Sequence, residues 1–590
     1  MENGLDYNKI LYYTLKWFIL RMKVLLIWPY GAFDGQTMPL CYIYLVPLIR
    51  KYYDIEFLDC GLHKIHPNSK EFSEFIQECK PDIVGISAWT IHKDMATLTL
   101  KTVKSINSNI ITIAGGPHFT GAADYSIEHD KGIIDYVLKG EGEETFKQFL
   151  DTISKDSYTE EELSKISGLC FIKKDGNVHE IPMVLPPSLD EFGQPDYSVI
   201  DLPGYLKHGY SYRSQAKMQA PILTTRGCPY TCDFCSAPYL NGRGIRKHSL
   251  AYLKELITNL YDDYGIRHFN IIDDNFTFDT HFAKGFCKMI TDNKKRFKGI
   301  TFGTPNGIRV ERSDQQLFYL LKAAGWSHLI IAPESGSQKM IDRMSKHLDL
   351  NIVPEKVKQI QKSGIEVEAF FIVGHPGENK ITVNETREFI KKVKFDMISI
   401  HIFQPLRGTP IYDQLLMAGS ISQDVNMTSF KEINWLPENW TKNELLQVIL
   451  DLKKISVENF PSRFEWLFSK FVTSGKISAK IIGEKNRHKL FINSYNLRRK
   501  IWNWYYNLIH GNELKKEIEK VIIVETNEEE KRKRENKLKE YERKIMEKSD
   551  QLSEKAMTEQ LIEIKPNQKS MDLLLNDCEK IKTHKSLFMD

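Results

Sequence analysis

The sequence lacks most of what would mark a secreted, membrane-spanning or nucleic-acid-binding chain. Its 590 residues hold only nine cysteines, and six of them, at positions 41, 60, 79, 170, 287 and 578, are too scattered to frame a disulfide-stapled fold. A reducing cytoplasm is the compartment this usage suits. No long apolar run escapes charge: the N-terminal "LDYNKILYYTLKWFILRM" is broken by Lys9 and Lys16 and precedes no small-residue cleavage site. It therefore reads as a short helix and neither a secretory signal nor a membrane span. Neither sign of charge dominates, since the formal net charge is +4, and no nucleic-acid partner follows from it. The dinucleotide fingerprint Gly-x-Gly-x-x-Gly is missing where the first strand-like run ends in "WPYGAFDG", which argues against NAD or FAD. No internal repeat of fixed period is present either.

A chain of this length exceeds one hydrophobic core, so several domains are expected. After an N-terminal extension over 1–22, residues 23–152 alternate short apolar runs with amphipathic stretches. The runs are "KVLLIWP", "DIEFLDC", "DIVGIS", "IITIAGG" and "IDYVLKGEGE". Strands buried on both faces and separated by helices predict a parallel, Rossmann-like α/β sheet whose ligand lies outside the carboxyl ends of its strands. Residues 153–212 change character and read as a connector, with "GLCFIKKDGNVHEIP" as a hairpin turned at Asp175-Gly176. A second βα series over 213–424 offers "APILTT", "HFNIID", "ITFGTP", "HLIIAP", "VEAFFIVG" and "ISIHIFQPL", six strands that fit a partial or complete TIM-type barrel better than an open sheet. A helical region follows over 425–511. The mixed-charge run over 512–590 is expected to be a solvated helix or a disordered tail.

Against the general scarcity of cysteine, "RGCPYTCDFC" places Cys228, Cys232 and Cys235 within eight residues at the end of the first barrel strand. Close spacing lets one loop wrap a single iron–sulfur cluster. A structural zinc site would want a fourth ligand at paired spacing, and none is nearby. A dithiol redox motif would use Cys232 and Cys235 and leave Cys228 idle, and buried structural cysteines are the remaining alternative. The Cys-x3-Cys-x2-Cys spacing with an aromatic before the last cysteine closely resembles the radical S-adenosylmethionine (SAM) superfamily. The resemblance spans roughly residues 220–412 and implies a partial (β/α)6 barrel. It also implies that the three thiolates bind three irons of a [4Fe–4S] cluster, leave the fourth iron to SAM, and that SAM cleavage yields a 5′-deoxyadenosyl radical.

In the same resemblance "DDNF" stands where many members carry Gly-Gly-Glu, which nominates Asp274 and Asn275 for the SAM amino group. "APESGS" nominates Glu334 and Ser335 for the ribose and carboxylate, and "IVGHPGE" nominates Gly374 and Gly377 for close backbone approach to the adenine or methionyl group. The loop ends of the first domain, "SAWTIHKD", "AGGPHFTG" and "KGEGEE", resemble the cobalamin-binding domain that precedes the barrel in B12-dependent radical SAM enzymes. They nominate Ser87, Gly115, Gly116, His118, Gly140 and Glu141 as cofactor-binding residues. The Asp-x-His-x-x-Gly motif that supplies a cobalt-ligating histidine is absent, so neither His92 nor His118 is assigned to cobalt.

What these resemblances imply is a cytoplasmic enzyme with three cofactors, a [4Fe–4S] cluster, SAM and cobalamin. It would transfer a methyl group to an unactivated carbon or phosphorus of a small-molecule or natural-product substrate and draw electrons from a reductant such as ferredoxin or flavodoxin. The alternatives are a non-methylating radical reaction, such as the oxidative ring closure of the anaerobic porphyrin cyclase branch or a rearrangement, and, from another class, a cobalamin or cluster sensor. No nucleic acid and no membrane span is expected.

Overall fold

The structure is a computed structural model, and it describes residues 21–31, 38–155, 157–210, 216–423, 427, 429–430 and 432–458. Most of the expected extension, most of the expected helical region and the whole charged tail lie outside the described residues.

The apolar runs of the first half become β1 (Lys23–Trp28), β2 (Asp54–Asp59), β3 (Ile83–Ser87), β4 (Ile111–Gly115) and β5 (Tyr136–Leu138). They pair in parallel in the order β2-β1-β3-β4-β5. Val24, Leu25, Ile27, Ile83 and Val84 are fully buried because helices cover both faces. These are α1 (Leu40–Ile49), α2 (Lys70–Cys79), α3 (Lys93–Ile106), α4 (Gly116–Gly121), α5 (Ala123–His129) and α6 (Gly142–Ile153). The order reverses between β1 and β3, which opens a crevice at the carboxyl ends of those strands. The expected hairpin forms as β6 (Leu169–Ile172) and β7 (Val178–Glu180), turned through Gly176 at φ +88°. It does not merely connect domains: β6 pairs antiparallel with β5 and completes a seven-stranded sheet, burying Leu169 and Cys170 completely.

In the second half all six expected runs are strands: β8 (Gln219–Ile222), then, past a two-residue ribbon made of β9 (Thr225–Arg226) and β10 (Arg246–Lys247), β11 (His268–Ile271), β12 (Thr301–Gly303), β13 (His328–Glu334), β14 (Glu366–Val373) and β15 (Met397–Ile402). Two parallel three-stranded sheets, β12-β11-β8 and β13-β14-β15, meet through the parallel bridges Phe302–Trp326 and Ile308–Ile331. The result is a partial barrel of six strands. Its outer helices include α7 (Leu250–Asp263), α8 (Thr280–Asp292), α9 (Gln315–Ala324), α10 (Val353–Lys362), α11 (Lys380–Val393), α12 (Pro410–Met417) and α13 (Lys442–Glu458). Ser249, Asp279, Asp314 and Asn379 cap α7, α8, α9 and α11 by accepting bonds from first-turn N–H groups. Trp326, stacked on Phe302 at 4.8 Å, anchors the aromatic core between strands and helices.

Candidate functional site

The cysteine loop follows β9 through Gly227, whose φ of +97° only glycine adopts without strain. A Cβ there would stand 2.2 Å from Gly244 O, and its absence lets Cys228 N–H donate to Gly242 O at 3.0 Å. Cys228, Cys232 and Cys235 then pack with Tyr230, Phe234 and Phe278 into one small apolar cluster. Burial lifts the Cys228 thiol to about 12, and burial together with the neighbouring Cys232 and Cys228 sulfurs lifts Cys235 as well. Cys228 and Cys235 so placed do not ionise unaided, and a metal centre is what would make their thiolates favourable. Among the described residues no three His, Cys, Asp or Glu side chains converge as the ligands of one ion do. Three cysteines gathered from one loop into one buried cluster are a donor set that fits an iron–sulfur cluster.

Two cations flank these sulfurs. Arg309, from the loop after β12, donates from Nη2 to Cys232 Sγ at 3.3 Å while its guanidinium lies 3.4 Å from the Tyr230 ring centre. Lys346 donates to Glu334 Oε1 at 2.7 Å; burial works against its charge, but Glu334 and then Cys232 outweigh it and its pKa rises. Glu334 itself sits at φ +67°, just past a register shift in β13. A non-glycine residue held there costs energy, and such backbone concentrates at functional sites. Between the cysteines, Asp233 is bonded to His375 Nε2 at 3.1 Å and donates its N–H to Met344 O at 3.1 Å. The loop is thereby tied to the turn after β14 and to the C-terminal end of the short helix Gln338–Arg343 that follows β13.

The other barrel candidates have separate fates. Asp274 accepts from Gly227 N–H at 3.1 Å and Asn241 Nδ2 at 2.9 Å, both on Oδ2, so it braces the cysteine loop, and burial raises its pKa. Asn275 is 2% exposed, and neither its amide oxygen nor its amide nitrogen has a partner. A buried amide so left costs free energy until a ligand satisfies it. Ser335 is spent on protein partners, against Thr386 of α11 at 3.1 Å and the Ser337 N–H of its own turn at 3.2 Å. Gly374, at φ +86°, donates to Glu378. Gly377 makes room for Arg343, whose Nε would lie 2.4 Å from a Cβ there. The space beside Gly377 thus holds protein atoms.

At the carboxyl ends of the first sheet lies a cavity of about 360 Å³. Trp28, Cys41, Ser87, Gly115, Gly116, Gly140 and Glu141 line it from the first half, and Arg226, Asn241 and Asp274 line it from the barrel. Its inner wall is apolar, built by Leu26, Gly85, Ile86, Ile113 and Phe146. The glycines serve the fold as much as a ligand: a Cβ on Gly116 would lie 2.4 Å from Ser87 Oγ, and one on Gly140 2.3 Å from Met183 Sδ. Two buried donors on the cavity wall, Trp28 Nε1 and Arg226 Nε, have no partner. Cys41 is exposed on the cavity side, and desolvation by the protein around it pushes its thiol up to about 11. Glu141 does not wait for a cofactor: it is bound to Arg246 and lies 3.2 Å from Arg226.

His118 is set apart from this cavity. It lines a second cavity of about 310 Å³ with Lys93, Tyr125, Arg407 and Tyr412, on another side of α4. Its Nδ1 lies 3.3 Å from Thr90 Oγ1, and burial, with Lys93 and Arg407, lowers its pKa to about 4. Beside it Gly121 and Gly408 meet backbone to backbone, a Cβ on Gly408 falling 2.7 Å from Gly121 Cα. Sequence reasoning missed Trp28, Cys41, Arg226, Arg309, Lys346 and His375. The one available signal was place, because Trp28, Arg226, Arg309 and His375 all follow or end strands.

Known proteins match on both halves. The Radical SAM superfamily profile matches residues 222–390, and that of the B12 binding domain matches residues 33–150. An uncharacterized methyltransferase of Pyrococcus horikoshii is 28% identical over 472 residues, covering 78% of this chain and 95% of that protein. The cytidylyl-2-hydroxyethylphosphonate methyltransferase of Streptomyces wedmorensis is 24% identical, covering 72% and 88%. The radical SAM methyltransferase TsrM from Kitasatospora setae, solved with cobalamin and a [4Fe–4S] cluster bound, shares the fold at a TM-score of 0.55 with 17% identity over 72% of this chain and 80% of that one. Among the described residues no helix is long and apolar enough to cross a membrane. Three cysteines at the mouth of a six-stranded partial barrel thus fall at the start of the region that matches the radical SAM superfamily, residues 222–390, and the glycine-ended parallel sheet facing them lies in the region that matches the B12 binding domain, residues 33–150.

Proposed function

We propose that the chain is a cobalamin-dependent radical SAM methyltransferase acting on an unactivated carbon or phosphorus centre of a small molecule, with residues 23–152 as the cobalamin domain and 213–424 as the catalytic barrel. The observation that carries this reading is the shared cavity. Residues beside the cysteine loop, Arg226, Asn241 and Asp274, and the strand-end residues Trp28, Ser87 and Gly116 line one continuous space, so ligands of the two halves would face each other.

When bound, the cluster supplies the electron that cleaves SAM, and cobalamin supplies the methyl carrier. The chain's own residues do the rest. Cys228, Cys232 and Cys235 hold the cluster, with Arg309 donating to Cys232 and Asp233 pinned by His375 so that the loop keeps its shape. Asn275 offers an unspent amide to SAM, Asp274 keeps Oδ1 clear of its two bracing bonds, and the Lys346–Glu334 pair presents both signs of charge at the end of β13. For cobalamin, Trp28 and Arg226 offer unpaired N–H donors at the rim, and Leu26, Gly85, Ile86, Ile113 and Phe146 provide an apolar recess. Ser87, Gly115, Gly116 and Gly140 shape the wall between. A small reductant such as ferredoxin or flavodoxin delivers the electrons.

The test is anaerobic reconstitution with iron, sulfide and cobalamin, followed by incubation with methyl-labelled SAM and a small-molecule extract of the source cells. Label transferred to a product, with 5′-deoxyadenosine formed alongside, is the expected result. Abundant 5′-deoxyadenosine without label transfer would replace methylation by another radical reaction, and no SAM cleavage at all would sink the enzyme reading.

A further inference from the structure

Two arginines face each other across the smallest sheet in the molecule. Strands β9 and β10 are two residues each, and their register sets Arg226 directly opposite Arg246. Like charges so placed repel, and an isolated two-stranded ribbon is marginal even without that burden. Yet both side chains are buried, at 6% and 10% exposure. What neutralises them comes from the other half of the chain. Glu143 accepts from Arg226 Nη2 at 2.7 Å, and Glu141 accepts from Arg246 Nη1 at 2.8 Å while standing 3.2 Å from Arg226 Nη1. Glu141 is the N-cap of α6 and Glu143 lies in its first turn, where the helix dipole favours negative charge. The Arg226 guanidinium also lies 5.3 Å from the ring centre of Tyr44 on α1.

The ribbon leads straight into the cysteine loop. Gly227 follows Arg226, Cys228 follows Gly227, and the loop's bracing bonds to Asp274 and Gly242 begin there. A buried ion network can be no more stabilising than apolar residues of similar volume, but it tolerates only one arrangement of its partners. We propose that Glu141, Glu143, Arg226 and Arg246 form a coupling latch: the acids of α6 order the ribbon that carries the cysteine loop, so that the cluster site is completed only when the first sheet is docked. Arg226 is a positioning residue in this scheme. The inference rests on reading the cysteine loop as the cluster site.

The experiment uses the full chain without cofactors and follows backbone amide exchange in wild type and in the isosteric double variant Glu141→Gln/Glu143→Gln. Exchange at residues 225–228 and 246–247 should quicken about tenfold or more although the substitutions lie in the other half, with the β13–β15 amides unchanged. Faster exchange confined to the first turn of α6, or spread evenly over the whole chain, would overturn the latch. A second measurement follows loss of the reconstituted cluster to an iron chelator. The double variant and Arg226→Gln should both lose it about tenfold faster than wild type, and Arg226→Lys, which keeps the charge but not the planar fork whose two nitrogens meet Glu141 and Glu143 separately, should fall between. Equal loss rates in all four proteins would overturn the proposal. A wild type that takes up no cluster would refute the cluster reading instead, and the exchange experiment would still decide whether the halves are coupled.

Discussion

The two strand-end mouths that face each other in this molecule are built from opposite materials. The first sheet ends in glycine and apolar side chains, with Gly85, Ile86, Ile113 and Phe146 around a recess, and the donor it leaves unpaired there is Trp28 Nε1. The barrel ends in sulfur and charge, with Arg309 on Cys232, Lys346 on Glu334 and Arg226 held by two carboxylates. One mouth selects by shape and the other by electrostatics. Damage to either lining that spares the Glu141–Glu143–Arg226–Arg246 network joining them should therefore leave the other's ligand bound, and that separation can be tested.

The largest effect belongs to the sulfur side. Cys232→Ala should lower SAM cleavage about a thousandfold or more, to background, because a cluster held by two cysteines is not retained. Cobalamin affinity, measured by absorbance titration, should stay within about twofold of wild type, since shape selects that ligand. A matching loss of cobalamin binding would break the comparison. Next comes its mirror image, Gly85→Leu. A Cβ there already lies 3.0 Å from Leu26 Cδ2, so the larger side chain fills the recess. Cobalamin should bind about a hundredfold more weakly while SAM cleavage holds within about threefold.

A smaller change is expected for Lys346→Met, which strands the buried Glu334 carboxylate. The KM for SAM should rise about tenfold, thermal denaturation should report a loss of about 3 kcal/mol, and Lys346→Arg should recover most of both. The mildest test concerns Cys41. Desolvation raises its thiol to about 11, so the reactive thiolate is the minor form at every pH below that value. Alkylation should therefore speed up about tenfold per pH unit below that value and be suppressed by bound cobalamin. Rapid alkylation at pH 7 would show that the thiol is not raised by its surroundings.

How far these mouths could be read from the sequence follows the same division. The strands were legible because burial on both faces leaves an unbroken apolar run, as in "KVLLIW", and the cysteines were legible because three of them crowd a sequence that uses few. The hairpin was legible as a hairpin, but nothing local told that β6 would pair with β5, a choice made by the free edge of a distant strand. Arg309 and Lys346 were missed because a lone basic residue carries no periodic signal; only the fold brings them beside Cys232. Glu141 was seen as a strand-end residue, yet its partners lie in the other half of the chain, at positions 226 and 246. His118 follows Gly116 by two positions, but the turn of α4 carries its ring to the far side.

The contact between Gly121 and Gly408 is a seam with no upholstery. Where two bodies touch through bare backbone, the smallest added side chain acts as a shim of known thickness, and a graded series at position 121 from glycine to alanine to valine would wedge that seam open stepwise. Because the seam lies off both mouths, such a series would leave their linings alone and vary only the gap across them, turning one pair of glycines into a gauge of how steeply the chemistry depends on spacing.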